Sequence, residues 1–298
     1  MIMLGRAILA ALAATAPVCL HAGPIVPPVN PGDLTMQPVS AMAPVNGSII
    51  NGKPVGPGDF PASYYVSAVG SPVQCSATVV GPRAVLTAAH CVGDGKTIVL
   101  KPPGSIFRGT CVHHPDYKNG DRSSDVAICA LTTAINTHPE NLSLSNKSIN
   151  KTVLLAGFGC TSPDGSGGND GKSFLVGLSN VSQLPGSLSF DGKPYPNYFA
   201  TTPDWTAGAP AVLCDGDSGG AAFCLEDPKE PTGSRTVCGV NSSVDCAQPS
   251  SDGCKEVGII SYLVAINQPS IAGWIMKRPL QLCGVGQPLP GCRKAAAR

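Results

Sequence analysis

Charge is what this sequence has least of. Asp, Glu, Lys and Arg make up 13% of its 298 residues, and 20 basic side chains face 19 acidic ones. The only basic run is the short tail Arg293–Arg298, so a nucleic-acid partner is disfavoured: no stripe of positive charge could hold a polyanion. Long apolar runs are missing too. Once the first 22 residues are set aside, no segment approaches the roughly 18 residues that a membrane-crossing helix needs, and membrane association has no support. There is no Cys-x-x-Cys and no Cys/His pair at ligand spacing, which discounts a zinc site. Helical periodicity is almost absent. The one candidate is Ser270–Lys277, with Ile271, Trp274 and Ile275 on one face and Ser270 as an N-cap. No internal repeat stands out.

What is there is Gly (35), Pro (29) and short apolar runs: Tyr64–Val69, Ala77–Val80, Ile98–Leu100, Val153–Ala156 and Gly258–Ile266. Turn residues punctuate them about every ten positions, the signature of an all-β barrel or sandwich, and the length suits two modest domains. Residues 1–22 are read as a signal peptide. Met1–Arg6 carries one positive charge, and Ala7–Leu20 is apolar but too short to span. Cleavage after Ala22 is expected; a cut after Ala16 would put Pro17 beside it. Removing Cys19 leaves twelve of the thirteen cysteines, an even number that fits an oxidised, secreted, extracellular protein. Residues 23–48 hold Pro24, Pro27, Pro28, Pro31, Pro38 and Pro44 and hardly any charge. Such a segment cannot bury a core and is read as extended or disordered, either a linker or a propeptide. Sequons at Asn46, Asn141, Asn146, Asn150, Asn180 and Asn241 would carry sugar only in a eukaryotic secretory route.

Three stretches carry chemistry. Gly216-Asp217-Ser218-Gly219-Gly220 places a serine between glycines, where the backbone turns tightly enough for its N–H groups to face a substrate carbonyl. By itself this is equally a solvent-exposed turn. Val85-Leu86-Thr87-Ala88-Ala89-His90-Cys91 ends an apolar strand in a histidine whose neighbouring cysteine can tether its loop; His21, His113, His114 and His138 are read as packing or surface residues. Ser124-Asp125-Val126-Ala127-Ile128 sets an aspartate directly before a buried-strand pattern, which alone is more often a turn former.

In the order His90, Asp125, Ser218, these residues resemble the chymotrypsin/trypsin family of serine endopeptidases, since α/β-hydrolases and subtilisins use other orders. Ile49-Ile50-Asn51-Gly52 looks like the new N-terminus made when that family's zymogens are cut. His114-Pro115-Asp116-Tyr117 and Gly157-Phe158-Gly159 are weaker echoes. The resemblance covers about residues 49–276. It implies two six-stranded antiparallel Greek-key barrels of chymotrypsin type, about 49–140 and 150–276, with the changeover in Thr132–Lys151, a short C-terminal helix and a tail over 277–298.

The resemblance also implies roles. Ser218 would be the nucleophile, His90 the general base and acid, and Asp125 its orienting partner, with the Gly216 and Ser218 N–H groups as the oxyanion hole. The freed ammonium of Ile49 would pair with Asp217, although Ser48 stands where trypsin-activated relatives have Arg or Lys. Val212 would floor the primary pocket, Val244 narrow its wall and Ser242 lie behind Asp125, favouring small or medium apolar residues. Asp215 is expected at the rim. The implied disulfides are Cys75–Cys91 and Cys111–Cys129; Cys214 bonds Cys238, Cys246 or Cys254, with Cys246 preferred; looser pairings are Cys160–Cys224, Cys283–Cys292 and Cys238–Cys254. The family's calcium loop would fall in Val92–Thr110, where Asp94 is the only carboxylate, too few for calcium. No metal or organic cofactor is expected. The implied partners are protein or peptide substrates and protein inhibitors, met by a monomer. The competing reading is a non-catalytic homologue that binds a partner through the same fold. Such proteins usually lose a triad member, and none is lost here.

Overall fold

The computed structural model of the chain describes residues 34–38, 49–56, 58–68, 74–102, 104–145, 149–162, 167, 173–190, 192–203, 206, 208–247 and 258–293. The signal peptide, most of 23–48 with Ser48 and Asn46, and Asn146 and Cys254 lie outside them. In chain order the strands are β1 (Leu34–Pro38), β2 (Lys53–Pro54), β3 (Ser63–Ala68), β4 (Gln74–Gly81), β5 (Ala84–Thr87), β6 (Thr97–Leu100) and β7 (Phe107–His113). A single helical turn α1 (Pro115–Lys118) leads on to β8 (Ala127–Leu131), β9 (Thr152–Gly157), β10 (Leu175–Gln183), β11 (Ser189–Phe190) and β12 (Lys193–Pro194). The chain ends in β13 (Tyr198–Thr201), β14 (Ala221–Leu225), β15 (Arg235–Cys246), β16 (Ile259–Ala265) and the helix α2 (Pro269–Met276).

The fold is the chymotrypsin fold. One sheet closes in the order β1-β3-β4-β5-β8-β7-β6. The other runs β13-β16-β15-β14-β9-β10-β2, and β10 also pairs with β13, so six strands return on themselves with β2 attached at the edge. Closure removes the exposed edges that a sheet of short strands would otherwise present. Strands such as β5 and most of β14 are buried along their length, which is why the sequence shows them as continuous apolar runs instead of alternation.

One element departs from expectation. Residues 23–48 read as extended or disordered, yet Leu34–Pro38 is a seventh strand of the first barrel, antiparallel to β3 from Leu34↔Ala68 to Pro38↔Tyr64 and parallel to β6. Pro38 falls at the strand's end, where a missing N–H costs least.

The C-terminal helix runs from Pro269 to Met276, one residue earlier than expected, and buries Ile271, Ala272, Trp274 and Ile275. Its N-cap is Gln268, not Ser270, because Pro269 takes the first helical position. Ser270 instead donates its hydroxyl to Asn197 Oδ1 at 3.0 Å. The tail then lies back on the body. Cys283 donates its N–H to the Val80 carbonyl and accepts one from Leu142, and a Cys283–Cys292 disulfide closes the loop.

Beside this tail sits a wholly buried ion pair. The Arg235 guanidinium reaches Glu140 Oε1 through Nε (3.2 Å) and Nη2 (2.5 Å), and its carbon lies 3.6 Å from the centre of the Phe60 ring. Arg293 approaches the same carboxylate at 3.8 Å. Burial pulls the Arg235 pKa below its ordinary value, and the Glu140 charge opposes it. Truncating one partner leaves a charge stranded in the core. Arg235→Ala is therefore expected to cost about 3–5 kcal/mol in denaturant unfolding. Joint replacement by Arg235→Leu and Glu140→Leu should restore most of that loss, since neither fully buried charge then remains and Arg293 is partly exposed.

Candidate active site

Where the two barrels face each other, His90 bonds Asp125, and Ser242 links Asp125 to Ser218. His90 is carried by the single 3₁₀ turn Ala89–Cys91 that ends β5. The disulfide Cys75–Cys91 ties that turn to β4. Asp125 follows another 3₁₀ turn, Arg122–Ser124, capped by Asp121, whose Oδ1 accepts the Ser123 N–H at 2.9 Å and whose Oδ2 accepts the Ser124 hydroxyl at 2.8 Å. Asn197, from the second barrel, donates to that same Ser124 hydroxyl at 2.9 Å. The aspartate is thus delivered by a turn braced from both barrels.

The hydrogen bonds run in a line. Tyr198 OH lies 2.7 Å from Ser242 Oγ, which donates to Asp125 Oδ2 at 2.7 Å. The same Oδ2 accepts from His90 Nδ1 at 2.6 Å, and Oδ1 accepts the His90 backbone N–H at 2.9 Å. Since Ser242 spends its proton on the carboxylate, Tyr198 is the donor to Ser242. Burial alone would raise Asp125, but the His90 charge and the hydrogen bonds from His90 and Ser242 outweigh it and hold the carboxyl below its ordinary value. Burial alone would lower His90, and the Asp125 charge and hydrogen bond reverse that, holding the imidazole above 6.5. Ser218 Oγ donates to the Ser242 carbonyl at 3.2 Å rather than to His90. A catalytic hydrogen bond is commonly loose or unmade without substrate.

The serine loop is held from several sides. Asp217 is completely buried. Its Oδ1 accepts the Gly159 N–H at 2.7 Å and its Oδ2 the Cys214 N–H at 2.8 Å. Burial pushes its pKa up to about 8 against those two bonds, with the Asp215 charge adding to the rise. Among the described residues no cation lies against it. Gly157 and Gly159 are needed there because a Cβ on either would collide with Asp217. Gly219, at φ +81°, packs so closely on Ser76, Thr87 and Ala88 that no side chain fits. Gly216 also takes a positive φ, +98°. Asn241 donates to the carbonyls of Ala156 and Asp217. It is fully buried, so this sequon is a structural amide and cannot carry sugar in the folded chain.

Val212 is fully buried and shares an apolar cluster with Ile50, Cys160, Cys214, Ile259 and the half-buried Val244. Ile50 and Val212 exchange backbone hydrogen bonds at 3.1 and 3.2 Å. Ile49 is fully buried beside them at φ +60°, a costly conformation for a β-branched residue. Asp215 is exposed.

The cysteines correct part of the expectation. Cys75–Cys91, Cys111–Cys129 and Cys283–Cys292 are bonded, but Cys160 bonds Cys214, not Cys224, and Cys224 bonds Cys238. Cys214 is therefore not paired with Cys246, nor Cys238 with Cys254. Cys224 and Cys238 lie on the neighbouring strands β14 and β15, within reach of each other. Cys160 sits beside the serine loop, its N–H on the Asp215 carbonyl. Cys246 is also disulfide-bonded, to a partner outside the described residues. The one described group of three possible metal ligands, Cys75, His90 and Cys91, has both sulfurs committed to a disulfide. Asp94 is spent on Lys118 and on the His113 N–H. Ser76, Tyr198 and Asn241 were invisible as site residues, because nothing in their sequence neighbourhoods separates them from ordinary strand positions.

The trypsin family profile matches residues 49–266. The chain belongs to the trypsin family. It is 31% identical to granzyme C of Mus musculus over 39% of this chain and 54% of that one. It is 27% identical to transmembrane protease serine 5 of Homo sapiens over 70% of this chain and 49% of that one. A trypsin of Saccharopolyspora erythraea is 24% identical over 58% of this chain and 80% of its own. The chain thus spans about half the length of the first two relatives. No helix among the described residues is long and apolar enough to cross a membrane.

The His90–Asp125 pair makes a direct test possible. In a heteronuclear NMR titration the His90 ring should lose its proton above pH 6.5. Asp125→Asn removes both effects that raise it and leaves burial, so the same resonance should then titrate below 6.5. An unmoved value would mean that Asp125 does not govern the imidazole.

Proposed function

We propose that this protein is a secreted serine endopeptidase that cleaves after small or medium apolar residues through His90, Asp125 and Ser218. The observation that carries the reading is the unbroken line Tyr198–Ser242–Asp125–His90, ending beside a serine on a glycine-flanked turn. In this mechanism Ser218 attacks the scissile carbonyl while His90 takes its proton and then delivers it to the leaving amine. Asp125 holds the imidazole in one orientation and stabilises its protonated form. The Gly216 and Ser218 N–H groups receive the developing oxyanion, where each donor is worth about 3 kcal/mol. Peptide and protein substrates, and protein inhibitors that imitate them, follow from this chemistry. The disulfides described above favour an oxidising compartment.

For specificity, Val212 and Val244 form an apolar wall with no charge to receive Arg or Lys, whose burial unpaired is costly. Ser218→Ala or His90→Ala should lower kcat by about a million-fold, and the double variant hardly further. A peptidyl phosphonate with Val or Ala at its reacting end should label Ser218, whereas one ending in Lys should not. A folded wild-type protein that no such phosphonate labels would fit the non-catalytic alternative; labelling by the Lys probe alone would redraw the pocket.

Activation by a cut between Ser48 and Ile49 accounts for two costly features. The positive φ of Ile49 is the torsion about its own N–Cα bond and sets the preceding carbonyl against its side chain, so cutting the peptide bond before it abolishes the strain. Backbone outliers of this kind cost on the order of 1–3 kcal/mol. The new ammonium would give Asp217 the cation it lacks. Until then the Asp217 carboxyl keeps its proton to about pH 8, against 3.8 ordinarily. The folded state therefore binds that proton more tightly than the unfolded one. The stability it contributes is complete below pH 3.8 and disappears as the pH rises through 8. An uncut Ser218→Ala precursor should thus lose denaturant resistance from about pH 5 to about pH 8. Asp217→Asn should flatten that dependence. Correctly cut Asp217→Asn enzyme should fold yet turn over poorly, its ammonium having no charge partner.

A further inference from the structure

We propose that the Ser76 hydroxyl is a positioning residue for the oxyanion loop, an assignment that rests on the protease reading above. Ser76 lies on β4 of the first barrel, next to the cysteine that tethers the His90 turn, and is 1% exposed. It grips the serine loop twice. Its backbone N–H donates to the Ser218 carbonyl at 2.7 Å, and its hydroxyl donates to the Gly216 carbonyl at 2.9 Å. These are the two residues whose own N–H groups the mechanism needs.

The direction of the hydroxyl proton follows from its other neighbour. The Phe158 N–H, which can only donate, occupies a lone pair of Ser76 Oγ at 3.1 Å, leaving the proton for Gly216. Ser76 has a single backbone N–H and has already given it to Ser218. A second anchor on the loop must therefore come from a side chain, and Ala or Gly at this position would supply none. The anchor matters because Gly216 sits at φ +98°, where glycine alone is at ease and its peptide planes turn cheaply. Fixing the Gly216 carbonyl fixes rotation about its Cα–C bond and so the whole turn from Gly216 to Ser218. Ser76 Oγ, by accepting the Phe158 N–H, also links this turn to Gly157-Phe158-Gly159, the segment that holds Asp217 from the other side. Thr87 donates to the Ser76 carbonyl at 2.8 Å, so the residue is itself held in place.

A donor that acts through the loop should be felt where the oxyanion forms and not where the substrate merely binds. In Ser76→Ala, kcat for a peptide amide should fall about 10- to 100-fold with KM within about twofold. Affinity for a peptidyl boronic acid, which forms a tetrahedral adduct on Ser218, should fall by the same factor. Affinity for the corresponding product peptide should not change. Ser76→Thr, which keeps the hydroxyl, should recover most of the loss, and Ser76→Cys, similar in shape but a weak donor, should not. If Ser76→Ala fails to fold, the Cys and Thr pair carries the same comparison. Wild-type kcat and boronate affinity in Ser76→Ala overturn the assignment, as does an equal loss of boronate and product-peptide binding. If the wild-type protein itself neither hydrolyses peptides nor binds the boronate, the protease reading falls and takes the assignment with it.

Discussion

A carboxylate sealed in an apolar interior is the constraint around which the second barrel's loops are arranged. Asp217 is fully buried, and among the described residues its oxygens accept the N–H groups of Gly159 and Cys214. Both donors come from segments that would otherwise be independent: one ends β9, the other opens the serine loop. The Cys160–Cys214 disulfide closes these segments on each other, and the glycines at 157 and 159 exist because the carboxyl group needs their space. The conformation of the serine loop is thus a consequence of how one acid is buried.

The second constraint is how closely the barrels approach. Gly219 touches Ser76, Thr87 and Ala88 at backbone distance, so the loop bearing Ser218 is built against β4 and β5 as much as on its own barrel. Contacts of this kind set the His90 turn and the serine loop directly against each other. His114 contributes from the periphery: it is buried, accepts the Asp116 N–H and packs edge-on against Trp274 of α2. That is the packing role its sequence context indicated.

Much of this was legible in the sequence because it is local. His90, Asp125 and Ser218 each sit in a short run whose composition states its own geometry: a strand end, a turn before a strand, a glycine-flanked bend. What was illegible depends on which segments meet. Cys160, Cys214, Cys224 and Cys238 look alike along the chain, and only the pairing of β14 with β15 decides that Cys224 faces Cys238. Leu34–Pro38 carries the marks of an unstructured segment, yet β3 and β6 offer it two edges to pair with, and backbone hydrogen bonds ask little of side-chain composition. Asn241 matched a glycosylation pattern while its amide was committed to two buried carbonyls. Ser76 and Tyr198 are ordinary strand residues until the opposite barrel is set against them.

Three buried acids in this molecule are stabilised by three different means, and the difference follows what each segment does. Glu140 faces Arg235, whose guanidinium carbon lies 3.6 Å from the Phe60 ring centre and 5.1 Å from that of Phe223. That pair is permanent, and it belongs to the scaffold that joins the interbarrel crossover to β15. Asp125 faces His90, a cation only part of the time, so the energy of the pair depends on where one proton sits. The proton transfer proposed for His90 calls for such a partner. Asp217 faces neutral amides alone and keeps its own proton far above the ordinary range. A fixed arginine there would have settled the loop once and for all. In the activation proposed above, the Ile49 ammonium would supply the cation that no described residue offers this acid. Among the described residues the partner therefore sorts the three sites: a guanidinium for Glu140, an imidazole for Asp125, and backbone amides for Asp217.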